Sequence, residues 1–90
     1  MLHCALQTFP RPGARDVPTR SAAARFIRTL GANLRRERTV RRLTQERLAE
    51  LADMNPRTEQ KTEAGDTTIL VTTLQRLRAA LGCEWKRLLG

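Results

Sequence analysis

Ninety residues are enough for one domain with a modest core and too few for two. Hydrophobic residues make up 40% of the chain, yet the aromatics are only Phe9, Phe26 and Trp85, so Leu, Ile, Val and Ala must fill the interior. A formal charge of +8 and a sequence pI near 11.4 call for a polyanionic partner: nucleic acid or an anionic membrane surface before an acidic protein.

Cys4 and Cys83 form no C-x-x-C pair and His3 is the single histidine, which argues against a metal site and for reduced, intracellular thiols. No apolar run approaches the ~20 residues of a membrane-spanning helix. The opening Met1-Leu2-His3-Cys4-Ala5-Leu6 lacks the basic and long apolar regions of a signal peptide. A soluble, cytoplasmic protein is expected, with no cofactor, metal, small-molecule ligand or membrane partner.

Residues 1–20 read as a disordered tail, because Pro10, Pro12, Gly13 and Pro18 interrupt any periodicity. Such a tail is dispensable for folding, although its arginines could serve as a mobile arm. Residues 21–90 form the domain. Ala23, Phe26, Ile27, Leu30 and Leu34 fall on one helical stripe, with Ser21 or Thr19 as N-cap. Thr44 caps a second helix, about 45–52, where Leu43 and Leu48 make a hydrophobic staple and Leu48, Leu51 and Ala52 share a face. Asn55 and Pro56 cap and open a third helix, about 56–64, which Gly65 stops. A fourth starts near Thr68 and carries Leu70, Leu74, Leu77 and Leu81 before Gly82, with Cys83 packing back on Leu77. A short fifth, about 84–89, presents Trp85, Leu88 and Leu89. The expected fold is therefore all-α, a small bundle of five helices.

The run Leu43-Thr44-Gln45-Glu46-Arg47-Leu48-Ala49-Glu50-Leu51-Ala52, with Asn55-Pro56-Arg57-Thr58 and Glu63-Ala64-Gly65 after it, resembles the phage-repressor (Cro/Xre, lambda-repressor-like) helix-turn-helix family. Leu77, Ala80-Leu81-Gly82-Cys83, Trp85 and Leu88-Leu89 resemble that family's last two helices, so the likeness spans roughly residues 27–90. It implies a transcriptional regulator, a repressor by preference, that binds double-stranded DNA with its third helix in the major groove. Independently of the family, a helix whose first turns carry no bulky apolar residue fits a groove ~12 Å wide, and helix N-termini attract phosphates.

By position in the motif, the DNA-facing residues are Gln45 on the second helix and Arg57, Gln60 and Lys61 on the third, with Thr44, Asn55 and Pro56 at the helix starts. Arg57 suits guanine and Gln60 suits adenine, while Lys61 and Gln45 suit the phosphate backbone. Residues 21–43 hold seven arginines against one glutamate, a net of +6, whereas residues 44–65 hold three cations against five acids, a net of −2. The strongest field thus belongs to the first helix and the turn Arg41-Arg42, which makes Arg41 a phosphate contact. The resemblance also implies a structural ion pair, Arg38 with Glu63, between the first and third helices. The apolar cluster Trp85, Leu88 and Leu89 suits a homodimer interface on a two-fold symmetric site.

Two positions depart from the family. Glu59 and Thr62 stand where the third helix usually sends large aliphatic residues into the core, and Met54 thereby loses its staple partner. An unpaired buried carboxylate costs several kcal/mol. Asp53 replaces the glycine of the turn, a substitution that tolerates positive φ better than most.

Other classes fare worse. One histidine in the tail and no clustered carboxylates leave no nucleophile–base constellation, so no enzyme is expected. A membrane-active cationic helix would not need a complete globular partner set. The main alternative is an antitoxin-like or regulatory module that uses this fold chiefly to hold a partner protein.

Overall fold

Thr19 opens the first helix: its Oγ1 accepts a hydrogen bond from the Ala22 N–H at 3.0 Å, and the helix begins at Arg20. This computed structural model describes residues 19–90, so the expected tail lies outside the described residues except at its last two positions. Among the described residues five helices follow in chain order: α1 Arg20–Val40, α2 Gln45–Leu51, α3 Pro56–Ala64, α4 Val71–Leu81 and α5 Trp85–Leu89. No strand occurs among the described residues.

The core is aliphatic, as the scarcity of aromatics requires. Leu30 and Leu34 of α1 meet Leu48 and Ala52 of α2, Leu77 and Leu81 of α4, Cys83, and Leu88 of α5. Long α1 is the platform, packing against α3 and α5, while α2 packs against α3 and α4. Only the C-terminal half of the α1 stripe reaches this core: Ala23 is exposed, Ile27 is half-buried and Phe26 is 51% exposed.

Three turns end in the same way. After α1, α2 and α3, a residue in the left-handed region lets two N–H groups reach back to the last helical carbonyls, a Schellman arrangement. Gly65 does this at φ 75°, but Asp53 (φ 56°) and Arg42 (φ 58°) do it with a side chain attached. Asp53 therefore occupies the glycine conformation its place in the turn demands.

Sequence expectation and structure part company in three places. α4 starts at Val71, not near Thr68, and Leu70 is an exposed N-cap, not the first residue of the inward stripe. Ile69 packs on the core from the preceding loop instead, which leaves Leu70 outside. On α2, Leu51 is 46% exposed, whereas Ala49 is fully buried. Leu88 is also fully buried, so of the three residues expected at an interface only Trp85 and Leu89 remain accessible. Among the described residues, no helix is long and apolar enough to cross a membrane.

Candidate nucleic-acid interface

Side chain by side chain, α3 divides into two faces. Asn55 caps it by accepting from the Arg57 N–H at 2.8 Å, and Pro56 occupies its first turn, where no backbone donor is missed. Glu59, Thr62 and Glu63 turn inward, at 1%, 2% and 9% exposure. Arg57, Gln60, Lys61 and Ala64 turn outward. Among the described residues, the side chains of Arg57, Gln60 and Lys61 make no hydrogen bond or ion pair, so a helix face of three long polar groups stands uncommitted.

The inward face is held by charge. Arg38 Nε donates to Glu63 Oε2 at 2.6 Å, Nη2 reaches Oε1 at 3.2 Å, and Nη1 donates to the Leu43 carbonyl at 2.6 Å. One guanidinium thus ties α1, the turn before α2, and α3 together. Gln45 joins the cluster: its Nε2 donates to Glu63 Oε1 at 3.1 Å, and the residue is half-buried. Thr44 accepts from the Arg47 N–H at 3.0 Å and is exposed.

Close approach of α3 to α1 depends on Gly31. A methyl group there would stand 2.5 Å from the Thr62 carbonyl oxygen and 2.6 Å from that of Glu63. Glycine inside a helix weakens it, and here that cost permits backbone-to-backbone packing. Thr62 fits beneath it by donating its hydroxyl to the Thr58 carbonyl at 2.7 Å.

Glu59 receives no hydrogen bond. Neither carboxyl oxygen meets a hydrogen-bond donor at ordinary geometry. Burial, and then the adjacent Glu63 one turn away, push its carboxyl from the usual 4.5 up to about 9. Burial pushes Glu63 upward too, but the protonated Glu59, Arg38 and Gln45 outweigh it and hold Glu63 below the usual value. At neutral pH the pair therefore carries one negative charge, on Glu63, with the proton on Glu59, and Arg38, bonded to Glu63, is held above its usual value.

A third buried carboxylate escaped the sequence reading. Glu37, 1% exposed, receives Arg41 Nη1 at 2.9 Å, Arg87 at 3.0 Å and Arg36 Nε at 3.2 Å. Its cover is these guanidinium groups, themselves roughly one-third to one-half exposed, and not deep apolar packing. Burial would raise its pKa, but hydrogen bonds from Arg41, Arg87 and Arg36 outweigh that and hold it below the usual carboxylate value. The cluster fastens α5, helped by Asn33, which donates to the Leu88 carbonyl at 2.7 Å. Spacing held the clue, because Leu30, Leu34 and Glu37 stand at i, i+4 and i+7 on one face.

These bonds sort the arginines of α1 and its turn. Arg36, Arg38 and Arg41 are engaged internally, whereas Arg25, Arg28, Arg35 and Arg42 are exposed with no ion pair among the described residues. Arg28 lies against Gly65 at the end of α3, and Arg35 lines a surface recess that reaches Glu63. In the turn, Arg41 is bound to Glu37 and Arg42 is the cation left in solvent. At the other end, Trp85 is 38% exposed with the Arg78 guanidinium 5.1 Å from its ring centre.

The sequence matches no family model and no curated protein. Among solved structures, the chain is similar to the restriction-modification controller protein C.AhdI from Aeromonas hydrophila, with a TM-score of 0.67 and 29% sequence identity over 69% of this chain and 94% of that one. The chain has the helix-turn-helix architecture of the Cro/Xre-like family. Within this architecture α2 and α3 are the two helices of the motif, joined by the turn through Asp53, and α3 presents its uncommitted polar face outward.

Proposed function

We propose that this protein is a DNA-binding transcriptional regulator that lays α3 in the major groove of duplex DNA. The outward face of α3 carries the reading: Arg57, Gln60 and Lys61 stand exposed at i, i+3 and i+4 with no partner among the described residues. A guanidinium can make paired hydrogen bonds to guanine, a carboxamide to adenine, and an ammonium suits phosphate. The likeness to a restriction-modification controller protein supports a regulatory role.

Around α3, Arg28, Arg35 and Arg42 supply positive charge to neighbouring phosphates. Arg42 takes the phosphate role expected of Arg41, because Arg41 is spent on Glu37. Thr44, Asn55 and Pro56 set the helix starts that approach the backbone, and Gln45 orients the Glu63 cluster while its carbonyl oxygen remains unused. Two copies pair through Trp85 and Leu89 on a two-fold symmetric site, and occupancy of that site represses transcription.

Selection from a pool of random duplexes at fixed salt tests the proposal. Enrichment of a two-fold symmetric sequence, bound at least ~10³-fold tighter than random duplex, is expected. Uniform weak binding to every duplex would reject sequence recognition.

A further inference from the structure

Gln45, the first residue of α2, has the two ends of its amide committed differently. Its Nε2 donates to Glu63 Oε1 at 3.1 Å. Arg38 is bonded to both oxygens of Glu63, and that carboxyl is held below the usual value, so it is ionised and can only accept. A reversed amide would set a carbonyl oxygen against the carboxylate, which fixes the nitrogen inward. The Gln45 carbonyl oxygen is left over: it accepts nothing among the described residues, and it is not buried.

Glu63 and Gln60 are three residues apart on α3, neighbours along one edge of the helix. Gln45, bonded to Glu63, therefore lies at the edge of the outward face that Gln60 borders. A phosphate gains nothing from the free oxygen there, because phosphate oxygens also only accept. One that sought the second N–H of Nε2 would come within ~6 Å of the Glu63 carboxylate, charge against like charge. A lone acceptor fits an amino group instead. In the major groove those groups are N6 of adenine and N4 of cytosine, whereas guanine and thymine present carbonyl oxygens.

We propose that Gln45 is a specificity-determining residue, whose carbonyl oxygen accepts a hydrogen bond from the amino group of an adenine or cytosine beside the base pair read by Gln60. The contact rests on α3 lying in the major groove, and it replaces the phosphate role expected of Gln45. Every base pair carries one such amino group in that groove, so the contact reports which strand holds it. A·T is told from T·A and C·G from G·C, while adenine and cytosine are interchangeable. Base reading thus extends from α3 onto α2, and its signature is a position that tolerates two bases and rejects two.

Selection from random duplexes with the full chain tests this. Beside the base pair that Gln60→Ala relaxes, a position should appear that takes adenine or cytosine and rejects guanine and thymine by about 3–10-fold, the worth of one hydrogen bond. Replacing adenine there by purine, which lacks the 6-amino group, should cost the parent the same factor. Gln45→Ala should lose the discrimination and be indifferent to purine, whereas Gln60→Ala should keep it. Each ratio compares two duplexes on one protein, so a change in stability cancels, and the purine duplex tests the parent even if Gln45→Ala does not fold. Equal weakening by Gln45→Ala on every duplex, with a lower salt slope, would make Gln45 a phosphate contact and overturn the proposal. Loss of the discrimination in Gln60→Ala would make Gln45 a support for Gln60 and overturn it too. A selected site without such a position overturns the role of Gln45 and leaves α3 as the reading helix, whereas no preferred site at all overturns both.

Discussion

Replacing Glu59 with leucine should make this domain clearly more stable. At pH 7 the unfolded chain ionises Glu59 freely, while the folded one must keep it protonated, with its carboxyl at about 9 against an ordinary 4.5. The gap between pH 7 and 9 is stabilised against ionisation; the gap between 4.5 and 7 is the cost of taking up a proton on folding, about 3 kcal/mol at 1.36 kcal/mol per unit. Leucine removes that cost and the unpaired buried oxygens with it, and adds roughly 1.5–3 kcal/mol of apolar burial, less whatever strain its branched end creates. A net gain of about 3 kcal/mol corresponds to a midpoint at least ~10 °C higher for a domain of this size.

The sign with pH follows from the raised value. The folded state binds the proton more tightly, so the penalty is absent below pH 4.5, grows as pH rises, and is complete above about 9. Thermal melts of the parent, Glu59→Leu and Glu59→Gln from pH 5 to 9 read all of this. Stability of the parent should fall over that range, the leucine variant should be flatter and higher, and glutamine, which cannot ionise but stays unpaired, should lie between them at pH 7. A leucine variant melting at or below the parent, or a glutamine variant melting below it, would refute the reasoning and mean that Glu59 finds a cation.

Gly31→Ala should cost roughly 1–3 kcal/mol despite the better helix propensity of alanine, because the new methyl meets two α3 carbonyls, and it should weaken DNA binding by tilting α3; melts and duplex titration check both. Asp53→Gly should raise stability by about 0.5–1 kcal/mol through relief of a left-handed side-chain conformation. Arg42→Gly should give a similar rise while weakening binding to all duplexes and reducing the salt slope by about one unit, a pairing of effects that separates its two roles. Glu37→Gln should destabilise by roughly 1–3 kcal/mol. The parent should lose that same contribution only in acid, as pH falls below 4.5 through the lowered Glu37 value.

Sequence alone carries much of this molecule because its local signals are chemically sharp. Thr44, Asn55-Pro56, Gly65 and Gly82 sit where caps and stops must sit, and the structure uses each of them. The inward placement of Glu59 and Thr62 was legible from their positions in the motif, odd as those residues are for a core. What stayed hidden depended on tertiary contact. Glu37 occupies an apolar register, and only the arrival of Arg87 from the far end of the chain shows how a carboxylate survives there. Gly31 looks like an ordinary weak point of a helix until α3 is laid across it. Leu70 reads as a stripe residue because a 4-3-4 leucine spacing continues to it, yet Ile69 has already filled the core from the loop. Arg41 and Arg42 are indistinguishable as letters, and the backbone turn alone decides which one Glu37 captures.

The central claim is that α3 reads bases through its outward face, and titration of Arg57→Ala with Gln60→Ala against a selected site and a random duplex tests it most directly. The account predicts a loss of about 1–3 kcal/mol per side chain on the selected site, little change on random duplex, and an unchanged melting midpoint, since both side chains are exposed and unpartnered. Equal losses on both duplexes would make these residues phosphate contacts, and no loss on either would place the DNA on another face.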